Sequence, residues 1–202
     1  MGIYSIKPAF RNLLKPLEQL MVHRGISADA LTITGLAFAG VAGFGLWVGR
    51  VGNGWLLLVP LGAFLRMAAN ALDGMVASST GTARPAGEVL NEVTDRIGDV
   101  AVFLPLTLVP GVSDALVAAS LSAMLVASYV GIAIKAAGGP RVYSGIMGKP
   151  DRMFVVGAAA LIAVPMDDPG TVFDWALAII LAGAVVTILM RAVAGSKMLA
   201  QP

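Results

Sequence analysis

The chain has 202 residues, of which 57% are hydrophobic and 13% charged, with a mean hydropathy of +0.84 and a formal net charge of +2. This is too apolar for a soluble domain and implies an integral membrane protein. It has no cysteine and one histidine, His23, which excludes disulfide frameworks, thiol nucleophiles and His-rich metal sites and argues against a Ser-His-Asp triad.

Residues 1–28 read as an amphipathic segment on the cytoplasmic surface. Ile6, Phe10, Leu13, Leu14, Leu17, Leu20 and Met21 recur at helical spacing, with Lys7, Arg11 and Lys15 on another face. The opening residues carry charges and prolines in place of an apolar signal-peptide core, so the apolar segments are expected to direct insertion themselves. Residues 29–202 read as one membrane domain. Spans are predicted over about 31–48, 55–76, 88–110, 115–134, 153–164 and 172–193. Several are short against the roughly 20 residues a bilayer requires. The predicted fold is therefore an all-α integral membrane bundle of six helices with an interfacial N-terminal helix. No internal repeat is evident. Ala39 and Gly43 give a small-xxx-small spacing suited to close helix packing.

Loop charges set the expected orientation. Lys7, Arg11, Lys15, Arg24, Arg84, Arg141, Lys149, Arg152 and Lys197 fall on one side. The other side has Arg50 against Asp114, Asp167 and Asp168. By the positive-inside rule the N-terminus is cytoplasmic, and Trp47, Trp55 and Trp175 fall at the outer ends as an aromatic belt.

Polar residues gather at one hairpin, within 70–99. Asn70 and Asp73 share a face of the second span. Asn91, Asp95 and Asp99 share a face of the third, and Gly81, Pro85 and Gly87 interrupt the chain between them. Carboxylates are costly among lipid tails, so these are expected to face a cavity, a partner or a metal. On this topology the hairpin opens to the cytoplasm. Oxygen donors there suit a divalent cation. Gly74 and the small residues Ala77 and Ser78 leave room for a ligand, and Arg84 is placed to hold a phosphate. Arg66 is expected to pair with a hairpin carboxylate.

The hairpin resembles the CDP-alcohol phosphotransferase family, whose pattern is D-x2-D-G-x2-A-R-x8-G-x3-D-x3-D. Here Asn70, Asp73, Gly74, Ala77 and Ser78 are followed, after eight residues, by Gly87, Asn91 and Asp95, with every spacing kept. Asn70 and Asn91 replace carboxylates and Ser78 replaces arginine.

The resemblance implies a phospholipid-synthesis enzyme of the inner (cytoplasmic) membrane. It moves a phosphatidyl group from CDP-diacylglycerol to a small alcohol and releases CMP. It also implies Mg2+ or Mn2+ held by Asn70, Asp73, Asn91 and Asp95, with Asp99 one turn on as a helper and Asp95 as the general base. Donor contacts fall on Asp29, Thr32, Gly74, Ala77, Ser78, Arg84 and Gly87. Lys135, Arg141, Lys149 and Arg152 are candidates for the acceptor, with membrane-surface anchoring as their alternative. Membrane lipids and a second copy, as a homodimer, are the expected partners; nucleic acid is not. A catalytically silent member that binds lipid or nucleotide is the alternative function. A transporter fits less well, because the halves do not repeat and the charges crowd one side.

Overall fold

In the computed structural model residues 7–200 are described, and among them the regular structure is entirely helical. The helices are α1 (Lys7–His23), α2 (Ala28–Gly49), α3 (Leu58–Ser79), α4 (Pro85–Phe103), α5 (Asp114–Ala136), α6 (Lys149–Ala163) and α7 (Gly170–Leu199). Short 3-10 turns at Asn53–Leu57 and Leu104–Leu108 lead into α3 and out of α4. Ile6 lies outside the described residues.

Local chemistry sets these ends. The Ser27 hydroxyl accepts from Ala30 N at the start of α2 and the Ser113 hydroxyl from Leu116 N at the start of α5. Pro85 occupies the first turn of α4, where its missing N–H leaves no hydrogen bond unmade. Gly81, at φ +67°, ends α3 in the left-handed conformation, and Thr82 N then reaches back to Ala77 O at 3.0 Å. The third predicted span, 88–110, is shorter as an α-helix than expected. Pro105 has no N–H to continue the ladder, so the chain tightens into the 3-10 turn after Phe103. The last helix is longer than expected and runs on to Leu199.

Four helical stretches are long and apolar enough to cross a membrane: Ala28–Gly49, Asn53–Ser79, Asp114–Ala136 and Gly170–Leu199. Two of the six predicted spans fall short of that description. α4 carries Glu88, Glu92, Asp95, Arg96 and Asp99 within its 19 residues, and α6 has only 15 residues, a rise of about 22 Å.

The main core is built from α2 to α7 around Leu46, Phe103, Leu106, Met124, Phe173 and Ile180. A smaller cluster of Leu14, Leu31, Leu72, Met75 and Val76 seats α1 on α2 and α3, and Phe10 meets Phe64 edge-on at 6.1 Å. Leu13, Leu17 and Leu20 of α1 stay exposed, as do the side chains of Arg11 and Lys15. Small residues bring the helices close. A Cβ on Gly62 would lie 2.7 Å from Phe38 O, and one on Gly43 would lie 2.0 Å from Ala101 O. At one end, Asn53 Nδ2 donates to Met166 O at 2.6 Å and Ser113 N to Asp174 Oδ1 at 2.8 Å. The α3–α4 hairpin lies at the other end, and there the polar residues collect.

Candidate active site

The site grows from three helices that present polar groups to one another. Asn70 comes from α3, Asp95 from α4, and Lys149 from the first turn of α6. Asn70 Nδ2 donates to Asp95 Oδ1 at 2.8 Å and lies 3.5 Å from Asn91 Oδ1. The Lys149 ammonium pairs with the same Asp95 Oδ1. Gly35 on α2 makes room for this arrangement, since a Cβ there would stand 2.5 Å from Asn70 Oδ1. Asp73 is buried and accepts from the Thr32 hydroxyl at 2.9 Å, which ties α2 to α3 behind the hairpin. Lys149 and Asp95 are among the charges that act on Asp73, so the two carboxylates belong to one electrostatic site.

Asp99 is placed differently. Its side chain is fully buried, with Arg66 Nη2 at 3.3 Å from Oδ1 and Arg152 Nη2 hydrogen-bonded to Oδ2. Arg96 Nη1 stands 3.7 Å from Oδ2. Both oxygens of Asp99 thus face guanidinium groups. Arg66 also donates to Asp95 O at 2.8 Å and so locks the α4 backbone at that residue. A Cβ on Gly98 would meet Arg66 Nη2 at 2.6 Å, so the small residue is what lets Arg66 in.

On the face toward α2 and the hairpin loop lie the residues expected at a donor. Arg84 pairs with Asp29, Gly87 packs beside that pair, and Thr32 sits on Asp73. Gly74 and Ser78 are exposed and Ala77 half-buried, and a Cβ on Gly74 would meet nothing within 4 Å. A cavity of about 930 Å³ opens beside Asn70, Asn91 and Asp95. Its polar wall holds Glu92, Arg96, Arg141, Lys149, Arg152 and Arg191, and its apolar wall includes Phe10, Phe64, Met67 and Phe154.

The four basic residues expected at an acceptor each meet an acid of α4. Lys135 pairs with Glu88, Arg141 with Glu92, Lys149 with Asp95 and Arg152 with Asp99. The acids fall at i, i+4, i+7 and i+11, a single stripe along the helix. Three of these bases line the cavity; Lys135, nearly half exposed, does not. Sequence reasoning passed over Arg96 and Arg191. An arginine inside the apolar run TILMRAVAG was the available signal. In the fold Arg191 donates to Ser144 O at 2.8 Å and Ala127 O at 2.6 Å, fastening the loop before α6 to α7.

The donor set can be weighed against a divalent metal. Among the described residues no three His, Cys, Asp or Glu side chains converge as a ready cage. Two carboxylates with amide carbonyls and a phosphate-bearing ligand nonetheless suit Mg2+ or Mn2+, since Mg2+ sites commonly use one or two carboxylates with substrate phosphates and waters.

No family model matches the chain. It is 34% identical over 157 residues to the inner membrane protein YnbA of Escherichia coli, covering 78% of each chain. It is 33% identical over 195 residues to the phosphatidylinositol phosphate synthase of Mycolicibacterium smegmatis, covering 92% of this chain and 84% of that one. The chain belongs to the CDP-alcohol phosphotransferase family. Its fold is that of the phosphatidylinositol phosphate synthase of Mycobacterium tuberculosis. With that enzyme's manganese and citrate complex it shares a TM-score of 0.75 at 22% identity, over 90% of this chain and 88% of that one. With the form that has CDP-DAG bound, the TM-score is 0.73 at 24% identity, over 94% of both chains.

Proposed function

We propose that this CDP-alcohol phosphotransferase moves the phosphatidyl group of CDP-diacylglycerol to an alcohol that itself carries a phosphate, releasing CMP. Family membership supports the reaction, and the names of the relatives support the substrate class. The observation that carries the reading is the position of Asp95. It lines a cavity walled by arginines and is hydrogen-bonded to Asn70, three residues before Asp73 on α3.

On the donor side, Arg84 and the exposed backbone at Gly74, with Ser78, Ala77 and Gly87 around them, receive the cytidine diphosphate. Asp29 orients Arg84 through their ion pair, and Thr32 orients Asp73. Asp73, Asp95 and the carbonyl oxygens of Asn70 and Asn91 would hold Mg2+ or Mn2+. When bound, the metal neutralises charge on the pyrophosphate and the departing CMP. We assign Asp99 to Arg66 and Arg152 as their counter-ion and not to the metal, because both its oxygens already face guanidinium groups.

On the acceptor side, Arg96 Nε and Nη1, Arg141 Nε and Arg152 Nε are buried without a hydrogen-bond acceptor, and Glu92 Oε2 beside them is buried without a donor. Orphaned donors of this kind call for an anion. Arg141, Lys149, Arg152 and Arg191 with Arg96 form the pocket for it, while Lys135 with Glu88 anchors its outer edge. In the reaction the acceptor oxygen bonds to the phosphatidyl phosphorus. The bond from that phosphorus to the bridging oxygen breaks, CMP takes the electron pair, and Asp95 takes the hydroxyl proton. Asn70 and Lys149 hold Asp95 in place, and Arg96 Nη2 stands 3.6 Å from its Oδ2.

The loop charges and the tryptophans support a site that opens to the cytoplasm of the inner membrane. They also support α4 and α6 as the remaining two crossings and α1 at the inner surface. Pairing of two copies belongs to the same reading. The test is CMP release from CDP-diacylglycerol in membranes, across a panel of free and phosphorylated alcohols, with and without Mg2+ or Mn2+. The expected result is metal-dependent release with a phosphorylated alcohol, lost in Asp95→Ala. Nucleotide binding with no turnover on any alcohol would point to the catalytically silent member instead.

A further inference from the structure

Glu92 falls in a free position of the family pattern, the first of three between Asn91 and Asp95. Its side chain is 19% exposed and lines the same cavity as Asp95. The two lie three residues apart on α4 and so share a face of that helix. The oxygens of Glu92 are used differently. Oε1 pairs with Arg141 Nη1, and the Arg141 guanidinium lies 4.7 Å over the Tyr143 ring. Oε2 is buried and accepts no hydrogen bond. Arg96 Nη2 stands 3.9 Å from it, beyond hydrogen-bond reach. Arg96 is drawn as well to Asp95 Oδ2 at 3.6 Å and to Asp99 Oδ2 at 3.7 Å, and it closes on none of the three acids.

A buried carboxylate oxygen without a donor has given up its water for nothing, so a donor is expected from outside the chain. The charges around Oε2 select that donor. A metal ion there would be pushed away by the guanidinium groups of Arg96 and Arg141, and an anion by the carboxylate itself. A neutral hydroxyl meets neither penalty. The free N–H groups of Arg96, Arg141 and Arg152 are left for the acceptor's phosphate, and Asp95 for the hydroxyl that reacts. Glu92 then faces a further hydroxyl of the same small molecule.

We propose that Glu92 is a specificity-determining residue. Its Oε2 accepts from a second, unreacting hydroxyl of the acceptor, so that the pocket selects phosphorylated polyols over phosphorylated alcohols with one hydroxyl. This inference rests on the phosphatidyltransferase reading above and adds to it a residue that the family pattern leaves open.

The test compares acceptors that differ by one hydroxyl. sn-Glycerol 3-phosphate and 3-hydroxypropyl phosphate hold a primary alcohol and a phosphate at the same separation, and only the first has a hydroxyl between them. myo-Inositol 1-phosphate is run beside them as a ring polyol. CMP release from CDP-diacylglycerol by the full-length protein at saturating Mn2+ gives kcat/KM for each. The wild type should prefer the better polyol phosphate over 3-hydroxypropyl phosphate by roughly 10–100-fold, the worth of a hydrogen bond to a charged group. Glu92→Leu should bring that ratio to within about threefold of unity. Glu92→Gln keeps the shape and an oxygen for Arg141, and it should lower the ratio severalfold. No preference in the wild type, as if water alone fills the space, would overturn the proposal. So would a loss in Glu92→Leu that falls equally on both acceptors, which would make Glu92 a support for Arg141 and nothing more. Where Glu92→Leu fails to fold, Glu92→Gln at the wild-type ratio overturns it. Where no acceptor is turned over, the phosphatidyltransferase reading falls, and calorimetric binding of the same compounds with CDP and Mn2+ present decides on Glu92. Tighter binding of a polyol phosphate, lost in Glu92→Leu, supports its role; equal binding of all three to the wild type ends it.

Discussion

Asp95 and Asp99 are one helical turn apart on α4, and although Arg66 and Arg96 stand near both, their side-chain hydrogen bonds differ. Asp95 is partly open to the cavity and touches Asn70 and Lys149, whereas Asp99 is sealed between Arg66 and Arg152. The two should fail differently. Asp95→Asn keeps the shape of the side chain but removes the base, and CMP release should fall by about 10²–10⁴-fold with the protein still folded. Asp99→Ala strands two buried guanidinium groups, and it should cost about 3–5 kcal/mol of stability. Unfolding in mild detergent reads the second effect; a variant as stable as wild type would show that Asp99 is not the counter-ion. The sequence puts 91, 95 and 99 on one face and makes Asp95 the base and Asp99 a helper at the metal, but it does not show Asp99 as a counter-ion to arginines. The partner that separates them, Arg152, is 53 residues further along the chain.

At the scale of helices, α2 shows how far a spacing pattern reaches. The Ala39 and Gly43 spacing announces a close approach without naming the neighbour. In the fold that neighbour is the α4 backbone: a Cβ on Gly43 would stand 2.0 Å from Ala101 O and 3.2 Å from its carbonyl carbon. Gly40, three residues earlier on the same helix, has no heavy atom within 4 Å of where its Cβ would be. Gly43→Ala should therefore destabilise the protein by about 1–3 kcal/mol, since backbone cannot yield as a flexible side chain does. Gly40→Ala should stay within about 0.5 kcal/mol of wild type. Equal thermal midpoints for the two would refute the α2–α4 contact. On α4 periodicity puts Asn91, Asp95 and Asp99 on one face, but the bases that pair with Glu88, Glu92, Asp95 and Asp99 come from residues 135 to 152, and no local pattern joins them to the helix.

For the molecule as a whole, the separation of its two ends decides whether the chemistry has its substrate. One end gathers Trp47, Trp55, Val51 and the turn near Asp168; the other gathers the hairpin with Gly81 and Thr82. The sequence foretold which loops lie together, because charge and tryptophan positions follow the bilayer whichever way the helices pack. On the proposed reading a donor carrying cytidine diphosphate is supplied from the cytoplasm, and the hairpin is expected to open there. The chain has no cysteine, which makes it a blank background for single-cysteine labelling. Val51, 76% exposed, and Thr82, in the exposed hairpin loop, lie outside the site and at opposite ends. In intact cells stripped of their outer membrane, a membrane-impermeant maleimide should modify Val51→Cys at once. Thr82→Cys should react only after the membrane is opened. The reverse pattern would turn Asn70, Asp73 and Asp95 away from the compartment that holds the donor, and the proposed transfer would then have nothing to transfer.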